Sequence, residues 1–197
     1  MYLTASFILA SSSPRRKALL DQIGLPFQVQ KRPVRETVDP GLSPSDVVQH
    51  LALRKAMPVA AEYPTALTLG ADTIVVHNGD ILNKPDDAGE AHAMLQRLSG
   101  TTHTVCTGYA ILHPTSDRTV RNVECTQVTF ADLADQEIQS YVATGLPMDK
   151  AGGYGIQDEM GPLFVDRIEG DYYTVVGLPL RAFYQTLTSE FADLVSV

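Results

Sequence analysis

The segment Phe7-Ile8-Leu9-Ala10-Ser11-Ser12-Ser13-Pro14-Arg15-Arg16-Lys17-Ala18-Leu19-Leu20 narrows the choice of fold more than any other. In it an apolar strand runs into a hydroxyl-rich turn that opens directly into a helix. Ser13 is placed to accept a hydrogen bond from the first helical turn, and Pro14 suits the first helical position, where an N–H would have no partner in the helix. The remaining N–H groups and the positive end of the helix dipole attract phosphate or carboxylate. Arg15, Arg16 and Lys17 add full positive charge at an end where the dipole favours Asp or Glu, which implies an anionic ligand. A solvated basic turn beside an ordinary strand–helix junction is the plainer alternative.

The rest of the chain extends this beginning. A strand over Phe7–Ala10, a helix over Pro14–Ile23, a break at Gly24-Leu25-Pro26 and a strand near Phe27–Lys31 form the start of a βαβ unit. Ser43-Pro44-Ser45-Asp46 repeats the cap-plus-proline signal ahead of Val47, Val48, Leu51, Ala52, Lys55 and Ala56 at helical spacing, and Pro58 is expected to end or kink that helix. Lys55 lies one turn beyond Leu51, so its stem can follow the apolar face while its ammonium reaches an adjoining pocket. Thr65–Val76 reads as a buried strand carrying Gly70-Ala71-Asp72-Thr73, and Asn78-Gly79 signals a hairpin. Asp86 or Asp87 can cap a helix with a face of Ala91, Met94, Leu95 and Leu98, closed by Ser99-Gly100. Thr101–Leu112 and Arg118–Phe130 read as long antiparallel strands, followed by a helix over Asp135–Thr144. Leu163–Ile168 and Tyr173–Val176 read as final strands, and a closing helix begins near Pro179. Early alternation of strand and helix with a hairpin in the middle predicts an α/β fold with a mixed sheet flanked by helices.

A chain of 197 residues can bury a full core, as one domain or one domain with a lobe. Its net charge of −8 argues against a general nucleic-acid or membrane binder, so positive charge must be focused in a local pocket. No leader-like or membrane-spanning run is present, and the cytoplasm is the expected compartment. Cys106 and Cys125 fit that compartment as reduced, small, buried side chains. A turn at Pro114-Thr115-Ser116-Asp117 would nonetheless make them cross-strand neighbours.

Chemistry concentrates in four places. Asp72 sits in an apolar strand, where a carboxylate needs a partner or a metal, and Gly70 and Ala71 leave room beside it for a bulky ligand. Glu36 falls in an exposed segment, where acids are ordinarily just solvated. Lys84 precedes Pro85 and is therefore held in extended geometry, although an exposed surface lysine reads the same way. The loop Asp149-Lys150-Ala151-Gly152-Gly153-Tyr154-Gly155-Ile156-Gln157 combines glycines that allow close backbone approach with polar and aromatic groups. There is no Walker-type phosphate loop, dinucleotide fingerprint or Gly-x-Ser-x-Gly elbow, and the five histidines have no metal-ligand spacing. Carboxylates plus cations around an anion site suit metal-assisted attack of water on a phosphoanhydride.

The motifs from Leu9 to Arg16, Gly70-Ala71-Asp72-Thr73, Lys84-Pro85 and Asp149–Gln157 occur in the order seen in the Maf family of nucleoside triphosphate pyrophosphatases. The chain resembles that family from the first strand to Val176-Gly177-Leu178-Pro179-Leu180. The Asp149–Gln157 loop resembles the branch acting on dTTP and UTP; a branch acting on 7-methyl-GTP is expected to carry Ser-Phe in place of Gly-Tyr. The resemblance implies an elongated mixed sheet with two lobes and a central cleft, related to the inosine triphosphatase group and commonly dimeric. It implies Asp72 as proton acceptor, with Arg15, Thr73 and Gln157 linked to choice of base. Ser11, Arg16, Glu36, Lys55 and Lys84 match further polar active-site positions, and Lys150 adds a substrate-binding cation. Glu36 with Asp72 is the expected metal pair for Mg²⁺ or Mn²⁺. The implied reaction is in-line attack of water on the α-phosphorus, releasing the monophosphate and pyrophosphate. The rival from another class is a nucleotide-binding regulator of septum formation, for which binding alone would suffice.

Overall fold

A computed structural model describes residues 2–37 and 41–196. A seven-stranded sheet carries the fold, in the order β3-β2-β4-β6-β7-β8, with β5 paired to β4. Its strands are β2 (Phe7–Leu9), β3 (Gln28–Val29), β4 (Leu67–His77), β5 (Asp80–Leu82), β6 (Thr102–His113), β7 (Arg118–Phe130) and β8 (Val165–Glu169). A separate two-stranded ribbon joins β1 (Tyr2–Leu3) to β9 (Val195–Ser196). The helices are α1 (Pro14–Gln22), α2 (Pro44–Glu62), α3 (Ala88–Leu98), α4 (Asp135–Ala143), α5 (Gly161–Phe164), α6 (Tyr172–Val176) and α7 (Leu180–Glu190). β2 is parallel to β3 and to β4, whereas β4 and β5, and β7 and β8, are antiparallel, so the sheet is mixed as expected. Among the described residues no helix is long and apolar enough to cross a membrane.

The chain divides into two compact units, and three of the four divisions fall inside β4, β6 and β7, the fourth after α6. The first takes the described residues up to Asp72, Thr107–Glu124 and those from Gly177 onward. Its core joins Ile8 and Ala10 of the β2 segment to Val59 and Ala66, and Ala52, Ala56 and Ala60 of α2 to Ala110 and Leu112 of β6. α2 approaches the sheet at van der Waals contact because two strand positions lack a side chain. A Cβ on Gly70 would meet the Ala52 carbonyl oxygen at 2.2 Å, and one on Gly108 would meet the Val48 backbone at 2.6 Å. The space beside Gly70 is therefore filled by helix backbone and not by ligand, which corrects the expectation from the sequence.

The second unit holds Thr73–Cys106 and Cys125–Val176. The apolar face of α3, buried at Ala91, Met94, Leu95 and Leu98, is the one its periodicity predicts, and Asp87 caps it through the Glu90 N–H. Phe130 stacks edge-on against His103 at 4.9 Å and Tyr154 at 4.8 Å, while Phe164 meets Tyr141 at 5.1 Å. These aromatic contacts form the floor under the glycine-rich loop. Asn78 and Gly79 both adopt positive φ between His77 and Asp80, the turn that the Asn-Gly pair predicts.

Three local expectations are overturned and a fourth is narrowed. Of the two outcomes expected at Pro58, an end or a kink, the end does not occur: α2 runs on to Glu62, because Val59 and Ala60 are buried and packing of the last turn offsets the hydrogen bond that proline forfeits. Tyr172–Val176 is helical although Tyr173–Val176 reads as strand: the Asp171 carboxylate accepts from both the N–H and the hydroxyl of Thr174, at 2.7 and 2.9 Å, and this helical start overrides β-branched propensity. The strand expected from Leu163 begins only at Val165, because Pro162 opens the short helix α5. Finally, Cys106 and Cys125 form a disulfide, and Cys125 is exposed. Their Cα atoms lie 4.2 Å apart, a cross-strand separation that brings the side chains together where the sequence reading expected reduced, buried thiols.

Candidate active site

In the first unit the site is built where β2 ends and its parallel pairing with β4 stops, while β4 itself runs on through Asp72 to His77. Leu9 pairs with Leu69, the Ala10 N–H donates to the Leu69 carbonyl at 2.7 Å, and the chains then diverge into the Ser11–Ser13 turn and into Asp72. Carboxyl ends of parallel strands are where α/β sheets place ligands. Gly70 and Asp72 share one face of β4 by the two-residue period, so the contact that admits α2 at Gly70 also brings Lys55 above Asp72. Lys55 Nζ donates to Asp72 Oδ1 at 2.5 Å and lies 3.0 Å from Glu36 Oε1. Asp72 is 8 % exposed, and so takes its partner in a largely dry setting, while the Glu36 side chain is 59 % exposed.

Glu36 reaches this cluster from a segment without regular structure, and Arg54 holds it there. The Arg54 guanidinium donates to the carbonyls of Arg35 and Thr37, at 2.9 and 2.6 Å, on either side of Glu36. Sequence reasoning passed over Arg54. Its position next to Lys55 on an amphipathic helix gave it no distinguishing signal.

Ser13 caps α1 as expected, accepting from the Arg16 N–H, with Pro14 at the helix start. Arg16 is half-buried; its Nε donates to the Gly177 carbonyl at 2.8 Å and its Nη1 to Ser11 Oγ at 3.4 Å. Burial lowers the pKa of Arg16, as does the charge of Arg15, while the charges of Asp72 and Glu36 pull it back up. A guanidinium so placed stays charged at neutral pH. Its field and those of the two carboxylates therefore act on one another. Arg15 is half-buried on the same helical turn. Ser11, Arg16, Glu36, Lys55 and Asp72 are thus linked within one unit, as the sequence grouped them.

The second unit carries Thr73, Lys84, Lys150 and Gln157. Thr73 is half-buried on β4, Lys84 is exposed after β5, and Gln157 is exposed at the end of the glycine-rich loop. Lys150 is 5 % exposed, and its ammonium is engaged by the Leu146 carbonyl, by Asp149 at 2.7 Å and by Asp158 at 3.2 Å. Tyr154 is buried, and its hydroxyl hydrogen-bonds His103 Nε2 at 2.7 Å. Much of the loop's polar chemistry is therefore spent on its own architecture. Gly152, at φ +69°, brings its backbone against Val75 and donates to the Asn83 carbonyl at 3.1 Å.

Residues 6–190 match the profile of the family described as Maf-like protein. The chain belongs to the Maf family. Its relatives within that family are similar over almost their whole length. A dTTP/UTP pyrophosphatase of Salinibacter ruber is 56 % identical over 99 % of this chain and 96 % of its own. Proteins of the same name from Bacillus cytotoxicus and Bacillus cereus are 51 % identical, over 92 % and 91 % of this chain and 93 % of theirs. Among solved structures, the Ham1 protein of Staphylococcus aureus aligns with a TM-score of 0.45 and 13 % identity, over 64 % of this Maf chain and 72 % of that chain.

Two acidic side chains converge on one point in this Maf protein, since oxygens of Glu36 and Asp72 both lie within 3.0 Å of Lys55 Nζ. That point is held by the Lys55 ammonium; it is the donor type, carboxylate oxygen, that suits Mg²⁺ or Mn²⁺, which take one or two carboxylates and complete their shell with substrate phosphate oxygens and water. Among the described residues no group of three or more His, Cys, Asp or Glu gathers at metal-ligand spacing, so the remaining ligands of such an ion would have to come from substrate and solvent.

Proposed function

We propose that this chain is a nucleoside triphosphate pyrophosphatase that hydrolyses dTTP and UTP to the monophosphate and pyrophosphate. The observation that carries the reading is the convergence of Glu36 and Asp72 on the Lys55 ammonium, beside Arg16 at the start of α1. It is supported by 51–56 % identity, over nearly the full chain, to proteins named dTTP/UTP pyrophosphatase.

In this reading Arg16, with Lys84, neutralises the triphosphate, and the α1 N-terminus adds its dipole. Arg15, Thr73 and Gln157 read the base, Ser11 holds a phosphate oxygen, and Lys150 keeps the glycine-rich loop in shape. Asp72 accepts a proton from water while the water oxygen bonds to the α-phosphorus; the bond from that phosphorus to the bridging oxygen breaks, and pyrophosphate leaves with the electron pair. Lys55 orients the Asp72 carboxylate for that transfer. Glu36 and Asp72 would hold the divalent ion, which when bound supplies charge neutralisation at the phosphate oxygens. Such a substrate belongs to the nucleotide pool of the cytoplasm, and assembly as a homodimer goes with the same reading.

The deciding experiment incubates the protein with Mg²⁺ or Mn²⁺ and a panel of dTTP, UTP, dCTP, dATP, dGTP and 7-methyl-GTP, then assays pyrophosphate against orthophosphate. Pyrophosphate from dTTP and UTP is expected. Orthophosphate alone would overturn the bond assigned, and tight binding of dTTP without turnover would favour a nucleotide-binding regulator.

A further inference from the structure

Gln157 is presented by a turn whose two ends are tied to one atom. The Gly155 carbonyl accepts from the Asp158 N–H at 3.0 Å, which makes Ile156 and Gln157 the central pair of a β-turn, with Ile156 buried and Gln157 exposed. Tyr141 of α4, wholly buried, lies beneath it. Its hydroxyl oxygen accepts from the Gly155 N–H at 3.1 Å, and its O–H donates to Asp158 Oδ2 at 2.5 Å. Burial, together with the Asp158 hydrogen bond, pushes the Tyr141 pKa far up, so the group remains a neutral donor at working pH. The same Asp158 oxygen lies 3.2 Å from Lys150 Nζ, which braces it. Glycine at the first position of the turn lets these side chains close in, because a Cβ on Gly155 would meet Lys150 Cε at 2.6 Å and Asp158 Oδ2 at 2.7 Å and push them aside.

We propose that Tyr141 is a positioning residue for substrate choice: by clipping Gly155 and Asp158 to one hydroxyl, it fixes the direction in which Gln157 meets the nucleobase. The inference rests on the proposed activity and on Gln157 as a reader of the base. A side-chain amide discriminates between bases only if its donor and acceptor ends are held in a set orientation, since a mobile amide satisfies many partners equally. The clip acts on the two residues flanking the central pair and leaves the phosphate-binding groups untouched. Its removal therefore changes discrimination, not the chemical step.

The test compares wild type with Tyr141→Phe, which keeps the ring and loses the hydroxyl, and with Asp158→Ser, which opens the clip from its other end. For Tyr141→Phe the ratio of kcat/KM for dTTP to that for dCTP is expected to fall about tenfold, the size of one lost hydrogen bond, through KM for dTTP and with kcat within about twofold. Asp158→Ser is expected to move the ratio the same way, and it decides the matter if Tyr141→Phe does not fold. An unchanged ratio in a folded variant overturns the proposal even if the melting temperature drops, since a purely structural tyrosine would lower stability alone. A wild-type protein that releases pyrophosphate from neither dTTP nor UTP overturns the activity itself, and the inference with it.

Discussion

Lys55 Nζ stands 2.5 Å from Asp72 Oδ1 and 3.0 Å from Glu36 Oε1, so one ammonium joins a helix, a strand and a loop at a single point. Replacing Asp72 by Asn preserves the size of the side chain and a carbonyl that can still accept from Lys55, while abolishing its use as a base. The variant is expected to fold and to lose turnover by about a hundredfold or more, the range over which positioned general bases act. Steady-state pyrophosphate release, with circular dichroism as the fold control, checks this; wild-type rates would remove Asp72 from that role.

Gly70→Ala asks for a methyl group where the Ala52 carbonyl oxygen stands at 2.2 Å. The oxygen belongs to helix backbone and cannot swing aside, so α2 must lift from β4. A loss of about 1–3 kcal/mol in unfolding free energy is expected, the usual cost of overpacking. Activity should fall as well, because Lys55 rides on the displaced helix. A urea titration paired with an activity assay reads both, and a stable, fully active variant would contradict the close approach.

His103 contributes a pH dependence. Burial, helped by the charge of His77, lowers its pKa from 6.5 to about 4. The unfolded chain therefore takes up a proton between pH 6.5 and 4 that the folded one refuses, so stability falls as pH drops through that window. Between pH 7 and pH 5 the expected loss from this residue is about 2 kcal/mol. Denaturation of wild type and His103→Asn at the two pH values isolates it; an equal pH slope in both proteins would refute the assignment.

The Cys106–Cys125 bond joins cysteines 19 positions apart. Reduction is expected to lower the unfolding free energy by about 2–3 kcal/mol, from the chain entropy regained by the unfolded state. Melting with and without dithiothreitol, in wild type and in a Cys125→Ala variant, checks this. The reductant should shift only the wild type.

The elements with strong periodicity or sharp punctuation were legible in the sequence. The α3 face, the Asn78-Gly79 turn and the Ser13-Pro14 start of α1 follow from residue type at fixed spacing. The grouping of Ser11, Arg16, Glu36, Lys55 and Asp72 was legible through the family resemblance; the structure joins Ser11 to Arg16 by a hydrogen bond and Lys55 to Glu36 and Asp72 by ion pairs, and the charges of the two carboxylates act on Arg16. What could not be read were the partners supplied from far along the chain. Gly177 accepts from Arg16 across 161 residues, and Tyr141 meets Gly155 and Asp158 only through tertiary packing. α6 shows the limit of propensity, since one capping aspartate outweighed a run of residues that favour strand.

The grip of Arg54 on the carbonyls either side of Glu36 carries a consequence for how this segment can vary. Adjacent positions of one helix hold it twice, Arg54 by its backbone and Lys55 by its acidic side chain. Backbone carbonyls are present whatever residues surround them, so composition at positions 35 and 37 is nearly open. Length is not: a single inserted or deleted residue would shift Glu36 out of step with both anchors at once. Natural variation in this stretch should therefore run to substitutions and spare the spacing.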